Sequence, residues 1–281
     1  MKQLYILTFL LCFQLAAFSA DKVKLVILHT NDTHSQVEPS EKSSLATSDM
    51  GGYARRMGVI EKIRSEEKNV LLLDAGDYWQ GTPYFNFFNG RIEIDALNRM
   101  KYDATTLGNH EFDNGTDTLA AVIQNLNIPL ISSNYDVTNS VIRDFVKPWI
   151  VIKKAGLKIG VMALNVNPES LILESNIRDV NYIDPVAKAQ EISEYLKNKE
   201  KCDLIICLSH LGSDKDSKSV NDFEIAAKTK FIDVIIGGHS HTMLENTKAQ
   251  NAASRDVIIA QMAKSGFYLG RIDLQLSKKQ K

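Results

Sequence analysis

The sequence predicts an α/β protein built on mixed sheets, and three features of its patterning carry that expectation. Short apolar runs rich in Val, Ile and Leu alternate with amphipathic segments, one pair of runs is split by a tight turn, and several runs end in a compact polar cluster. Runs that are apolar throughout read as strands covered on both faces. They are Val23–Leu28, Val70–Leu73, Ile128–Ile131, Ile159–Leu164, Leu204–Leu208, Val234–Ile236 and Val257–Ala260. Between them Tyr53–Arg64, Glu93–Met100, Thr118–Leu126, Val186–Lys197 and Asp222–Lys230 place apolar residues at helical spacing. The stretch from Trp149 to Val161, divided by Ala155-Gly156, reads as a hairpin and makes the sheet mixed.

Residues 1–20 have the pattern of a secretory signal peptide: Lys2, an apolar stretch, then the small residues of Ala17-Phe18-Ser19-Ala20. Export is therefore expected, to the periplasm in a Gram-negative cell and otherwise outside the cell. Cys12 follows Leu10-Leu11 rather than a small residue, which argues against a lipid anchor, and no other run is long enough to span a bilayer. The remaining 21–281 shows no Pro/Gly/Ser-rich linker and no internal repeat, so it is expected to be a single catalytic domain. Cys202 and Cys207 flank an extended run that holds them roughly 16 Å apart, too far for a disulfide, and are expected as free thiols.

With 33 Lys+Arg against 34 Asp+Glu, the chain has no basic excess with which to bind a nucleic-acid polymer. An anionic ligand must be caught by a local site. The clusters that follow the runs supply one: Asn31-Asp32-Thr33-His34, Asp74-Ala75-Gly76-Asp77, Leu107-Gly108-Asn109-His110-Glu111-Phe112-Asp113, Ser209-His210 and Gly237-Gly238-His239-Ser240-His241. In open α/β sheets ligands bind at the carboxyl ends of strands, so all five are expected on one edge.

The donors gathered there are Asp32, Asp77, Asn109, His34, His210, His239 and His241, an oxygen and nitrogen set suited to zinc, manganese, iron or cobalt. Asp32 with His34, and His239 with His241, are two residues apart, so an extended chain would point each pair to one side. Seven donors are too many for one tetrahedral ion and suit two ions that share a carboxylate, assigned to Asp77. Two divalent cations, two carboxylates and a bridging hydroxide leave one positive charge, which a phosphate ester would meet. His110, with Asp113 three residues on, is free to protonate a leaving alkoxide.

The strings NDTH, DAGD, GNHEFD, SH and GGHSH, in this order, resemble the calcineurin-like metallophosphoesterase domain. More narrowly they resemble its 5'-nucleotidase and UDP-sugar hydrolase branch, as do Gly51 to Arg55, Gln80-Gly81-Thr82-Pro83 and Leu269-Gly270-Arg271. The resemblance covers roughly 23–276. It implies a four-layer α-β-β-α sandwich, two divalent metal ions, and hydrolysis of nucleotide phosphate esters by a metal-activated water. It further implies Asp32, His34, Asp77 and His241 on one metal, Asp77, Asn109, His210 and His239 on the other, and His110 with Asp113 as the catalytic pair. Secreted members of that branch usually continue into a nucleoside-binding domain, absent from this sequence. A separate nucleoside-binding polypeptide is one expected partner, and a wider range of phosphate monoesters is the other expectation. UDP-sugar or 2',3'-cyclic nucleotide hydrolysis, and a binding subunit inactive without its partner, are the alternatives.

Of the residues not assigned to a metal, His29 is expected to be a hydrogen-bonded structural histidine or one that supports a ligand, and Asp74 a turn acid or one that supports a ligand. The aromatics Tyr78, Trp79, Tyr84, Phe85, Phe87 and Phe88 are expected to pack in the core and form a docking surface rather than a nucleobase wall. Arg55 and Arg56 are expected on a solvated or salt-bridged helix face.

Overall fold

The computed structural model describes residues 22–214 and 218–277; the leader expected at 1–20 and the Lys278–Lys281 tail lie outside the described residues. Two mixed sheets face each other. In the first, Lys22–Thr30 lies between Gly270–Ser277, antiparallel to it, and Val70–Asp74, parallel to it. A bridge from Leu73 to Ala104 continues this sheet into the short parallel strands Thr105–Thr106, Leu130–Ile131 and Val146–Lys147. The second sheet runs in the order Met243–Gln250, Asp256–Met262, Val234–Gly237, Leu204–His210, Leu157–Asn165, Trp149–Lys154. Its four inner strands are parallel and its two edges antiparallel.

Why the strands are apolar at every position follows from their alternation. Leu25, Ile27, Leu71 and Leu73 point into the core between the sheets, against Ile159, Val161, Ala163, Ile206, Leu208 and Ile236. Their sequence neighbours Val26, Leu28, Val70 and Leu72 face the other way, against Ile60, Phe85, Ile94, Leu97 and Leu119 of the helices Tyr53–Glu66, Pro83–Phe88, Arg91–Arg99 and Gly115–Ile123. On the far side Met162, Leu164, Ile205, Cys207 and Ile235 meet Ile192, Leu196 and Ile225 of the helices Pro185–Asn198 and Asp222–Lys228. Side chains of successive strand residues point to opposite faces, so both faces of each inner strand must be apolar. The result is helix, sheet, sheet, helix, and each fully buried aliphatic chain contributes about 1.5–3 kcal/mol.

Departures from the sequence reading lie at the edges. Met243–Gln250 and Gly270–Ser277 escape an apolar-run criterion because they are edge strands of alternating exposure. The helix Gly115–Ile123 begins three residues before its apolar spacing does, since its first turn is Gly115-Thr116-Asp117. Cys202 and Cys207 are buried free thiols. Arg55 is exposed and reaches Asp49, as a surface arginine should. Arg56 corrects the expectation for it: the side chain is buried with its guanidinium over the Tyr53 ring, and among the described residues its Nε and Nη2 have no hydrogen-bond partner. Among the described residues no helix is long and apolar enough to cross a membrane.

His29 is a second correction. It is fully buried, opposite Gly270 in the antiparallel register, and a Cβ at 270 would fall 2.1 Å from its Nε2. Among the described residues neither ring nitrogen has a partner. Burial pushes its pKa down to about 4. Between pH 6.5 and about 4 the unfolded chain therefore takes up a proton that the folded chain refuses, and stability falls as the pH falls. The linkage amounts to about 3 kcal/mol across that window. His29→Leu is expected to remove this part of the acid sensitivity, read as a flatter plot of urea midpoint against pH; an unchanged slope would refute it.

Candidate functional site

Two loops form the centre of the site by running side by side past the ends of the first two strands. Asp32 N–H donates to the Gly76 carbonyl (2.9 Å), His34 N–H to Asp77 (3.1 Å) and Ser35 N–H to Tyr78 (3.0 Å), so the ladder of the sheet continues into the loops. The conformation is not extended. Asp32, His34, Asp77, His239 and His241 all have φ between 45° and 70°, a left-handed region that costs an L-residue roughly 1–2 kcal/mol each. Such strain is held by its surroundings and concentrates at functional sites.

The side chains meet in three groups whose candidate ligand atoms lie within 4.8 Å of one another: Asp32, His34 and His241; His34, Asp77 and His110; Asp77, His210 and His239. Asp77 is common to two. Asn109 joins the last group, its Oδ1 3.0 Å from His239 Nδ1. The i, i+2 argument from an extended chain is therefore corrected: all four residues have left-handed backbone, Asp32 and His34 share a group, and His239 and His241 separate into different ones. All seven expected donors and His110 lie together at the shared carboxyl edge of the two sheets.

Orientation of the rings is informative. His34 Nδ1 lies 3.3 Å from the Trp79 carbonyl and His210 Nδ1 2.8 Å from that of Ala75. A carbonyl can only accept, so each Nδ1 carries a proton, which leaves Nε2 as the atom from which the neutral ring offers a lone pair. The His34 Nε2 faces His241 Nε2 at 3.0 Å, and His210 Nε2 faces Asp77 Oδ2 at 3.0 Å without hydrogen-bond alignment. Burial lowers the pKa of His34, and burial together with His210 takes His239 down to about 4. For His210 burial acts downward too, but the carboxylates of Asp77 and Asp32 outweigh it and raise the pKa to about 10. Burial opposes the charge of Asp77, yet the neighbouring imidazoles, His210 first, hold its carboxyl well below the usual range.

His110 stands at the rim. Its N–H donates to Asp77 Oδ1 (2.9 Å), and its ring Nδ1 lies 2.9 Å from Asp113 Oδ2. Partial burial disfavours its charge, but Asp113 and then Asp77 more than offset this and raise its pKa. Gly108 must be glycine here, because a Cβ would fall 2.0 Å from Asp77 Oδ1.

Three residues hold this edge together without advertising a role, Glu111 and Asn31 inside the motif strings and Gln261 outside them. Glu111 is fully buried and accepts the N–H groups of Asp77 (3.0 Å), Tyr78 (2.9 Å), Trp79 (3.1 Å) and Gly108. Asn31 joins the sheets, accepting from Met262 N–H and donating to the Ala263 carbonyl, each at 2.8 Å. Gln261 donates to the Gly238 carbonyl (2.9 Å) and accepts from Ser240 Oγ (3.1 Å). A lone Gln closing an apolar strand was the legible signal for the last. Asp74 is the expected turn acid: it accepts from Gly76 N–H (2.9 Å) and Thr30 Oγ1 (2.6 Å), and lies in none of the three groups. Of the aromatics, Tyr78, Trp79 and Phe85 are core, whereas Phe87 and Phe88 are exposed.

Carboxylates and imidazoles gathered at the common edge of two packed sheets define a metallophosphoesterase. The chain belongs to the calcineurin-like phosphoesterase family, whose model matches residues 25–243. It is 32% identical to the trifunctional nucleotide phosphoesterase protein YfkN of Bacillus subtilis, over 91% of this chain and 18% of that protein. It is 34% identical to a 5'-nucleotidase of Diplobatis ommata, over 94% of this chain and 48% of the relative. Among solved structures, the NAD nucleotidase of Haemophilus influenzae superposes with a TM-score of 0.79 at 30% identity, covering 91% of this chain and 48% of that one. The chain thus spans about half, or less, of the length of these relatives.

Proposed function

We propose that this chain is an exported phosphoric monoester hydrolase that uses two divalent metal ions and acts on nucleoside 5'-monophosphates. The observation that carries the reading is the convergence of carboxylate and imidazole donors in three groups, each with its ligand atoms within 4.8 Å of one another. His34 Nε2 and His241 Nε2 lie 3.0 Å apart, and with the Nδ1 proton of His34 directed at a carbonyl this contact is an N–H···N bond from His241 that a shared cation would replace. The donor set fits such ions: Asp32, His34, Asp77 and His241 would hold one, and Asp77, Asn109, His210 and His239 the other. When bound, the pair would supply a water ionised near pH 7 and offset the charge of a phosphoryl group.

The chain's own residues do the rest. The Trp79 and Ala75 carbonyls fix the tautomers of His34 and His210, so both rings are ready to donate electron pairs without rearranging. Asp113 orients His110 through Nδ1 and favours its protonated form, leaving Nε2 to hand a proton to the departing alkoxide. Similarity to proteins named 5'-nucleotidases supports the substrate class. A second reading, a broader range that includes cyclic nucleotides or UDP-sugars, draws support from similarity to the trifunctional enzyme.

The test is His110→Ala in the metal-loaded chain. Turnover of AMP and of an aryl phosphate is expected to fall about 10²–10⁴-fold while the metal content stays at that of the wild type. Wild-type rates in the variant, or a metal-loaded wild type that hydrolyses no phosphate ester, would overturn the proposal.

A further inference from the structure

Arg56, on the helix Tyr53–Glu66, is buried with its Nε and Nη2 unpartnered among the described residues. A charge taken out of water is costly unless something nearby answers it. The buried carboxylate of Asp74 feels this charge, and a line of hydroxyls connects the two neighbourhoods.

The line has a direction. Asp74 accepts from Thr30 Oγ1 at Oδ2 (2.6 Å), and at Oδ1 from Gly76 N–H (2.9 Å) and Thr105 Oγ1 (3.1 Å). Thr30 has one hydroxyl proton and gives it to Asp74, so the 2.8 Å contact between Thr30 Oγ1 and the Tyr102 hydroxyl must be donated by Tyr102. The Tyr102 oxygen is then left with lone pairs only, which a cation favours. Burial raises the pKa of Tyr102, and the charge of Arg56 is the first influence against it. Burial likewise takes Asp74 up to about 6, opposed by its three hydrogen bonds and then by Arg56. Each O–H dipole therefore points away from the guanidinium and toward the carboxylate, an order in which every bond polarises the next.

At the far end stands the turn that carries the proposed ligands. Asp74 holds Gly76 by its N–H, and the Gly76 carbonyl accepts Asp32 N–H (2.9 Å). Asp77 is the next residue. Gly76 has φ 86°, and a Cβ on it would fall 2.7 Å from Gly108 N, so the turn has little room to shift. Arg56 also reaches Asp32 from the other side: a Cβ at Gly266 would fall 1.6 Å from its Nη2, and the preceding Ser265 N–H donates to the Asp32 carbonyl (2.7 Å).

We propose that Arg56 is a positioning residue for the metal centre: its buried charge, acting along Tyr102, Thr30 and Asp74, holds the Gly76 turn that sets Asp32 and Asp77. The assignment rests on the phosphohydrolase reading for what the turn serves, and adds a residue that touches neither substrate nor ligand.

The test is amide hydrogen exchange in the metal-free chain, read at the Gly76 and Asp32 N–H groups against Ile206 N–H in the second sheet. Tyr102→Phe and Arg56→Met are each expected to speed exchange at both groups about tenfold relative to Ile206. The double variant is expected to exchange no faster than either single one, because both changes cut the same line. Arg56→Lys, charged and of similar bulk to methionine, is expected to exchange more slowly than Arg56→Met. In Tyr102→Phe and Arg56→Met the Kd for Mn²⁺ is expected to rise about tenfold. Unchanged exchange or an unchanged Kd in Tyr102→Phe, effects that multiply in the double variant, or Lys and Met variants that behave alike would overturn the assignment. Tyr102→Phe, which removes one oxygen and keeps the arginine, decides the matter if Arg56→Met does not fold. A chain that hydrolyses no phosphate ester but shows the coupled exchange keeps the role of Arg56 and discards the hydrolase; an active chain without the coupling does the reverse.

Discussion

Asp77→Asn is expected to abolish phosphate release, by at least about 10⁴-fold, while leaving the fold intact. Asp77 belongs to two of the three ligand groups, with Oδ2 3.0 Å from His210 and Oδ1 accepting the His110 N–H. Asparagine keeps that shape and one acceptor oxygen, and once the Asp77 charge no longer favours the imidazolium its amide can donate to Nε2 of a neutral His210. What it loses is the negative charge that two cations would share. Metal content should therefore fall from two equivalents to one or fewer, while the melting temperature of the metal-free variant equals or exceeds that of the metal-free wild type. The same logic applies to the wild type after chelation: with a net charge of only −1 and no basic excess, it should lose nearly all affinity for phosphate. Elemental analysis, phosphate release and thermal melts check the set. An Asn variant with two metals and normal turnover would remove Asp77 from the bridging role.

Glu111→Gln is expected to cost stability and activity together. The carboxylate uses both oxygens as acceptors: Oε1 for Tyr78 and Trp79, Oε2 for Asp77 and Gly108. Burial and the charge of Asp77 push its pKa up to about 8, against the backbone N–H groups that favour the anion. An amide can present only one oxygen, so two buried N–H donors would face an NH₂ group, a loss of about 4 kcal/mol. The unpaired donors belong either to Asp77 and Gly108 or to Tyr78 and Trp79, and in both cases the loop that sets Asp77 shifts. Turnover should fall more than stability at 25 °C accounts for, with weaker metal binding. Urea unfolding and a metal titration measure the two effects, and an Asp77 loop unaffected by the change would leave both near wild type. His110→Ala is the useful contrast, since its partly exposed ring can be removed without a buried donor losing its partner.

Particular residues show how far the sequence could be read. The inner strands were legible because each must be apolar on two faces, and a run such as Leu204–Leu208 has no other ready explanation. The edge strands were not, because Gly270–Ser277 buries only alternate residues. The site donors were legible because carboxylates and imidazoles directly after apolar runs have few structural uses. Glu111 stood inside the same string as His110 and showed no sign of its role, since three of its four partners are backbone N–H groups of a loop 32 to 34 residues earlier in the chain.

The sequence by itself determined the class of fold, the strand ends that matter and the inventory of donors, because periodicity and residue chemistry are local properties. Tertiary structure alone decided that Arg56 is buried and that, among the described residues, His29 goes without a hydrogen bond; the parting of His239 and His241, against their i, i+2 spacing, was implied only by the family resemblance. Those facts depend on which strands, helices and loops pack against one another, and no local pattern in the chain carries that.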